Sequence, residues 1–167
     1  MAGLPGTGKS TLARELAKAT GGRVLSKDEI RHAIFRPEEI EYSSRQDDFV
    51  LEVMIAIAAF LIGRERSRII ILDGRPFSRR YQIENVIAAA ESMHQPWRIL
   101  ECVCSDETVR RRLEADAVAN AHPAGNRNFD LHLEVKSRFE AIVRPKIVID
   151  TDQEFETSLQ QALAALA

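Results

Sequence analysis

The chain has 167 residues, of which 45% are hydrophobic and 29% are charged, and its formal net charge is −2. These values are typical of one soluble globular domain with a sizeable core, and they give no electrostatic indication of a nucleic-acid-binding protein. Two cysteines, Cys102 and Cys104, are too few for a disulfide framework, so we expect reduced thiols in a cytoplasmic protein. The apolar run over residues 49–62 suits a buried helix better than a membrane span, which needs about 20 residues.

The hydrophobic pattern predicts strands that alternate with helices along the chain. We predict strands at residues 23–26, 69–72, 97–104 and 147–149. We predict helices at about residues 9–20, 28–35, 44–62, 78–93, 106–117, 131–143 and 154–166. This alternation indicates a single α/β domain over residues 1–167, with three layers and a mainly parallel sheet.

A phosphate-binding motif opens the chain. Gly3-Leu4-Pro5-Gly6-Thr7-Gly8-Lys9-Ser10, followed by Thr11, matches G-x-x-x-x-G-K-[ST] at every fixed position. Glycines allow backbone N–H groups to converge on an anion, and the helix that follows adds positive potential at its N-terminus. We expect Lys9 to contact the β- and γ-phosphates of a nucleotide and the Ser10 hydroxyl to bind Mg²⁺. A chance glycine-rich turn before an ordinary helix is the alternative.

The strand that should precede this loop is largely missing from the chain, because only Met1 and Ala2 come before Gly3. We expect the true start to lie upstream, which the intact mass of the natively expressed protein would test. Another segment that fills the gap and a compromised fold are the alternatives.

Two acidic residues follow strand ends, where functional sites of such sheets gather. Asp28 comes just after the strand at 23–26, and Asp73 comes directly after the strand at 69–72. Phosphoryl transfer needs a group that orients the acceptor hydroxyl and a group that helps to place Mg²⁺. Asp28 is our candidate for the first role and Asp73, through water, for the second. A helix N-cap is the alternative for Asp28, and a turn former is the alternative for Asp73.

The segments GLPGTGKSTLARELA, LSKDEIR, IIILDGRPFSRR and ETVRRRL occur in the order and at the spacing found in P-loop kinases. The chain resembles the "predicted kinase" branch of that family over nearly its whole length. That branch is similar to polynucleotide 5′-hydroxyl kinase, gluconate kinase, zeta toxins and chloramphenicol phosphotransferase. The loop is highly specific for nucleotide binding, and LSKDEIR is moderately specific for the kinase branch.

The resemblance implies a kinase that uses ATP and Mg²⁺ and transfers the γ-phosphoryl group to a hydroxyl. It implies that the loop from Gly3 to Thr11 binds ATP and that Lys9 is also catalytic. Ser10 and Asp73 would bind Mg²⁺. Asp28 would be the general base, and Arg31, on the same helix face, would grip the acceptor.

The resemblance also implies a lid, at about residues 106–130, that closes over ATP. Arg112 would be its first arginine. The second arginine of the family falls at Asp116 here, so Arg127 is our candidate to replace it. Arg75 would either bind an anion or lie on the surface.

We expect the acceptor to be a small molecule such as a sugar, a nucleoside or an antibiotic. A polynucleotide 5′-hydroxyl kinase and a regulator that binds ATP without transferring phosphate are the alternatives. The sequence does not indicate an oligomeric state.

Overall fold

The structure is a computed structural model that describes residues 1–119 and 128–166. Helices and strands alternate through the described ranges, as predicted. In chain order they are α1 (Lys9–Thr20), β1 (Arg23–Ser26), α2 (Lys27–Ile34), a 3₁₀ turn (Pro37–Glu39), α3 (Ser44–Arg64), β2 (Ile70–Asp73), α4 (Arg80–Ser92), β3 (Leu100–Val103), α5 (Asp106–Ala119), α6 (Phe129–Ser137), β4 (Ile147–Asp150) and α7 (Phe155–Ala164).

The strands form two parallel pairs, β1 with β2 and β3 with β4, and the first two residues join them. The α-amino group of Met1 donates to the carbonyl of Leu72 in β2, at 2.9 Å. On the other side, the N–H of Ala2 donates to the carbonyl of Leu100 at 2.8 Å, and the carbonyl of Ala2 accepts from the N–H of Cys102 at 2.9 Å. The order across the sheet is therefore β1, β2, the Met1–Ala2 segment, β3 and β4.

Met1 and Ala2 thus hold the central position of the sheet. An apolar cavity of about 440 Å³ lies between β2 and β3, and its lining includes Ile70, Trp97 and Ile99. Burial in this region lowers the pKa of the Met1 α-amino group, because a charged amine loses its hydration there.

Helices cover both faces of the sheet. On one face, Leu12 and Leu16 of α1 pack with Ile149 of β4 and Ala162 of α7. On the other face, apolar side chains of α3 and α4 pack against β1 in a second cluster. The two clusters confirm the predicted three-layer α/β fold with a parallel sheet. None of the helices within residues 1–119 and 128–166 is long and apolar enough to cross a membrane.

Several predicted boundaries are wrong. The helix predicted to run to Val143 ends at Ser137, because the segment that follows makes tertiary contacts instead of helical ones. The N–H of Glu140 donates to the carbonyl of Ser78, and the Glu140 carboxylate accepts from the N–H of Arg80, at 2.9 and 2.7 Å. The same contacts delay the start of α4 to Arg80. β3 is shorter than predicted, and α3 continues past Gly63.

Candidate active site

The phosphate loop has a backbone that only glycine adopts easily. Gly3 and Gly8 have φ angles of 127° and 79°, in the left-handed region. A Cβ on Gly3 would lie 2.3 Å from the carbonyl oxygen of Cys102 in β3. Gly8 directly precedes α1, so the loop leads into the N-terminus of that helix, as the sequence predicts. The loop and the first turn of α1 line one side of a cleft of about 380 Å³.

Lys9 lies against the loop that it follows. Its Nζ donates to the carbonyl of Leu4 at 2.7 Å, and the Thr7 hydroxyl donates to the same oxygen at 2.8 Å. Both side chains are buried. The ammonium group of Lys9 is therefore held at the loop, next to the backbone N–H groups that the motif provides for phosphate.

Thr151, directly after β4, links the loop to Arg112 of α5. Its hydroxyl donates to the carbonyl of Thr7 at 3.1 Å and accepts from Nη1 of Arg112 at 3.0 Å. Nη2 of Arg112 donates to the Thr151 carbonyl at 2.6 Å. Sequence reasoning missed Thr151, although its position at the carboxyl end of a parallel strand was a signal.

Arg112 projects from α5 to the phosphate loop. A Cβ at Gly8 would lie 3.5 Å from its Nη1, and the side chain lines the cleft with Ser10 and Thr11. The structure therefore brings the predicted lid arginine to the nucleotide side of the cleft. Arg127 lies outside the described residues, as does part of the predicted lid.

His132 is a second contact to the loop that the sequence did not indicate. Its side chain is 1% exposed, and Nδ1 lies 2.8 Å from the carbonyl oxygen of Pro5. Nε2 lies 3.4 Å from Oδ1 of Asp106, whose pKa is lowered by the ammonium of Lys136 and, more weakly, by His132. Through His132, α6 is packed directly against the phosphate loop.

Asp28 lies across the cleft from the loop. It is the second residue of α2, and the N-cap is Ser26, whose hydroxyl accepts from the N–H of Glu29 at 3.4 Å. The N-cap alternative for Asp28 is therefore wrong. The carboxylate is largely buried but lines the cleft. Nη1 of Arg31 and Nζ of Lys27 lie 3.4 and 3.7 Å from its Oδ1.

Asp73 is the last residue of β2 and is paired in register with Ser26. It is 3% exposed, and its Oδ1 has no hydrogen-bond partner among the residues that the structure describes. A buried carboxylate oxygen without a donor is unfavourable, and a hard cation relieves it. Ser10 lines the same cleft, so the two oxygen ligands fit Mg²⁺. The described ranges contain no group of three or more His, Cys, Asp or Glu residues that could hold a metal ion.

Three buried cationic side chains form a group beside Asp28: Lys27 and Arg31 lie close to its carboxylate, and Arg75 acts electrostatically on Lys27. Arg75 is 2% exposed, so the surface alternative for this residue is wrong. Burial lowers the pKa of Lys27 to about 8, against the opposing effect of Asp28, and the positive charges of Arg31 and Arg75 lower it further. Sequence reasoning missed Lys27 as a member of the site.

Two adjacent carboxylates on α3 pair with these cations. Asp47 accepts from Nζ of Lys27 at 2.9 Å and also from Nη2 of Arg31. Asp48 accepts from Nη2 of Arg75 at 2.6 Å. Next to Asp28, side chains from α2, α3 and the turn after β2 therefore form one cluster of paired charges. No pattern in the sequence indicated the two α3 carboxylates.

The AAA domain family matches residues 1–142, a range that contains the loop, Asp28, Asp73 and Arg112. The chain belongs to the AAA domain family. No curated protein matches the sequence of this AAA domain.

Solved structures show that this AAA domain has the fold of P-loop kinases. The Mycobacterium tuberculosis APS kinase CysC, in complex with AMPPNP and APS, is 16% identical, with 99% of this chain and 94% of that chain covered and a TM-score of 0.72. A gluconokinase from Sinorhizobium meliloti 1021 is 18% identical, with 99% and 88% covered and a TM-score of 0.70. Chaetomium thermophilum Kti12, in complex with ADP-AlF3, is 15% identical, with 99% and 97% covered and a TM-score of 0.66. At these identities the likeness establishes the fold and not the acceptor.

Proposed function

We propose that this AAA domain is a kinase that transfers the γ-phosphoryl group of ATP to a hydroxyl of a small-molecule acceptor. One observation carries the proposal: the phosphate loop and the carboxylates of Asp28 and Asp73 line a single cleft. A protein that only holds ATP needs the loop and a metal site, but it has no need of a second buried carboxylate, Asp28, in the same cleft. Solved relatives that are small-molecule kinases, among them a gluconokinase, favour a small acceptor.

ATP would bind with its phosphates at the loop from Gly3 to Ser10 and at the first turn of α1, where backbone N–H groups and the helix dipole favour negative charge. Lys9 and Arg112 add positive charge on this side of the cleft. Ser10 and Asp73 would hold Mg²⁺, which neutralises charge on the β- and γ-phosphates. The CysC and Kti12 complexes with AMPPNP and ADP-AlF3 support a nucleotide at this position.

Asp28 would act as the general base. Its carboxylate would accept the proton of the acceptor hydroxyl while the hydroxyl oxygen forms a bond to the γ-phosphorus. At the same time the bond between the γ-phosphorus and the β–γ bridging oxygen would break, and ADP would leave. The cations of Arg31 and Lys27, 3.4 and 3.7 Å away, orient the carboxylate. Arg31 would also grip the acceptor.

The segment from about residue 106 to 130 would form the lid. Arg112 already links α5 to the loop through Thr151, so movement of α5 changes the position of this cation relative to the phosphates. Closure would exclude water and protect ATP from hydrolysis.

The test is transfer of label from γ-labelled ATP in the presence of Mg²⁺ and a metabolite extract, beside a 5′-hydroxyl oligonucleotide and a reaction without acceptor. Lys9→Met serves as the inactive control, and ATP binding is measured in parallel. We expect label to move to a small molecule with the wild type and not with Lys9→Met. Label on the oligonucleotide would establish the polynucleotide alternative. ATP binding without any transfer would contradict the kinase proposal.

A further inference from the structure

We propose that the acceptor carries an oxyanion, such as a carboxylate, phosphate or sulfate group, which Arg75 binds together with Arg31 and Lys27. This assignment of substrate class rests on the proposed function, because the acceptor is defined by the transfer reaction. The anion subsite itself is defined by the three cations and can be tested without transfer.

Arg75 is buried with most of its hydrogen-bonding capacity unused. The side chain is 2% exposed, and only Nη2 is paired, with Asp48 at 2.6 Å. Nε and Nη1 have no hydrogen-bond partner within residues 1–119 and 128–166. These two nitrogens carry three of the five N–H donors of a guanidinium. A buried charge that lacks partners is unfavourable, so the fold holds Arg75 in a state that a further acceptor of hydrogen bonds would stabilise.

Arg31 shows the same pattern beside it. The side chain is 1% exposed, and its Nε also lacks a partner among the described residues. Its other nitrogens face Asp28 and Asp47. Arg75 follows the end of β2, Arg31 lies on α2, and both positive charges lower the pKa of Lys27. The unsatisfied donors therefore belong to one group of cations next to the proposed base.

The carboxylates that pair with these cations lie nearer the solvent. The side chains of Asp47 and Asp48 are 21% and 36% exposed, whereas the cations are buried. Asp48 also accepts from the Tyr81 hydroxyl, at 3.0 Å. An exposed carboxylate regains water when it leaves its partner, so its displacement is inexpensive.

An oxyanion satisfies these donors better than a neutral group. A carboxylate, phosphate or sulfate group presents two or more oxygens that match the planar fork of arginine. A neutral hydroxyl offers one oxygen and leaves buried N–H groups unpaired. Binding of the anion on this side also fixes the acceptor so that its hydroxyl is held near Asp28.

The first test measures the subsite without transfer. The full chain is saturated with Mg²⁺ and AMPPNP, so that the phosphate loop is filled, and is then titrated with inorganic sulfate or phosphate by calorimetry. We expect one further anion to bind the wild type and to bind at least tenfold more weakly, or about 1.4 kcal/mol, to Arg75→Gln. Arg75→Lys should recover only part of the affinity, because lysine keeps the charge and loses the fork.

Arg79→Gln is the matched control, because Arg79 lies in the same turn but is half-exposed and pairs with Glu140. This variant should bind the second anion like the wild type. Absence of a second anion from the wild type, or equal affinity in Arg75→Gln, would overturn the subsite. A folded state of each variant is verified by its thermal transition before the titration.

The second test assigns the subsite to the acceptor. The metabolite extract is separated on an anion exchanger before the reaction, and each fraction is offered with γ-labelled ATP. We expect transfer to a compound in the retained, anionic fraction, with a KM at least tenfold higher in Arg75→Gln. Transfer to a compound in the neutral fraction, unaffected by Arg75→Gln, would overturn the proposed substrate class while leaving the kinase intact. Anion binding without transfer to either fraction would contradict the proposed function but support the subsite.

Discussion

The proposed nucleotide side and the proposed acceptor side of the site are built in different ways. The nucleotide side is centred on one continuous segment, Gly3–Ser10, whose backbone supplies most of the groups for phosphate, and Thr151 and Arg112 contact this segment. The acceptor side is the charge cluster beside Asp28, and its side chains come from α2, α3 and the turn after β2, which are far apart in sequence. A site made from backbone depends on fixed glycine positions and has a sequence pattern. A site made from side chains of several elements depends on the fold, and it has no such pattern.

The two sides also differ in how well their polar groups are satisfied. On the nucleotide side, the Thr7 carbonyl, the Thr151 hydroxyl and the Arg112 guanidinium have partners within hydrogen-bonding distance. On the acceptor side, Arg31 and Arg75 keep buried N–H groups without partners in the described ranges. The nucleotide side is therefore preorganised by contacts within the chain, whereas the acceptor side keeps buried donors that, under our proposal, the acceptor would satisfy.

Among the variants of the nucleotide side, the largest effect is expected from Gly3→Ala, because it disturbs the backbone conformation of the phosphate loop. The new Cβ would lie 2.3 Å from a backbone oxygen at a φ of 127°, so the loop cannot keep its shape. We expect a loss of ATP affinity of at least 100-fold and a loss of about 2 to 3 kcal/mol in stability. Calorimetric titration with ATP and thermal unfolding measure both.

Gly63→Ala is the control for this prediction. Gly63 lies inside α3, and no atom outside its local helix lies within 4 Å of an added Cβ. Alanine there should leave ATP affinity unchanged and raise stability by up to about 1 kcal/mol. Equal ATP affinity in Gly3→Ala and Gly63→Ala would show that the loop backbone does not bind the nucleotide.

A smaller effect is expected from Asp73→Asn, which tests whether Asp73 helps to hold Mg²⁺. Removal of a buried, partly unsatisfied carboxylate should raise the stability of the Mg²⁺-free protein by about 1 kcal/mol. The rate of transfer should fall about 100-fold, and the Mg²⁺ concentration required for half-maximal rate should rise. Parallel unfolding and activity measurements over a Mg²⁺ series give the result, and an unchanged Mg²⁺ dependence would exclude Asp73 from the metal site.

Thr151→Val should affect the nucleotide side alone. Valine keeps the shape of threonine but loses the hydrogen bonds to Thr7 and from Arg112. We expect the KM for ATP to rise about fivefold to tenfold, which corresponds to about 1 kcal/mol, with the KM for the acceptor unchanged. Thr157→Val, at an exposed position of α7, is the matched control. A change in the KM for the acceptor, with the KM for ATP unchanged, would contradict the assignment of Thr151 to the nucleotide side.

The smallest effect is a pH dependence confined to the acceptor side. Burial lowers the pKa of Lys27 to about 8, and a bound anion favours the charged ammonium. Anion affinity should therefore be complete well below pH 8 and should fall about threefold to tenfold as the pH rises from 7 to 9. Asp28, Arg31, Asp47 and Arg75 are the charged groups that face this ammonium.

Lys27→Arg is expected to abolish this pH dependence, because arginine stays charged throughout. Calorimetric titration of the AMPPNP-loaded protein with sulfate at each pH measures it. A pH dependence that persists in Lys27→Arg would show that another group titrates.

The sequence predicted most of the fold and half of the site. The order of helices and strands follows from hydrophobic periodicity, and the loop from its glycines. Asp28 and Asp73 were predicted because each follows a strand, and parallel strands end at one edge of the sheet. Thr151 and His132 were missed because their partners are carbonyl oxygens of residues more than 100 positions away. Asp47 and Asp48 were missed because charged residues on a helix are usually solvated.

The most direct test of the account is the rate of transfer by Asp28→Asn at saturating ATP, with ATP affinity measured on the same preparation. We predict a fall in rate of about 100-fold to 10,000-fold and an ATP affinity within about twofold of the wild type, since Asp28 is assigned to the acceptor. Glu29→Gln, the exposed neighbour, should keep the wild-type rate. Transfer by Asp28→Asn at the wild-type rate would contradict the assignment of the base and, with it, the division of the cleft into two sides.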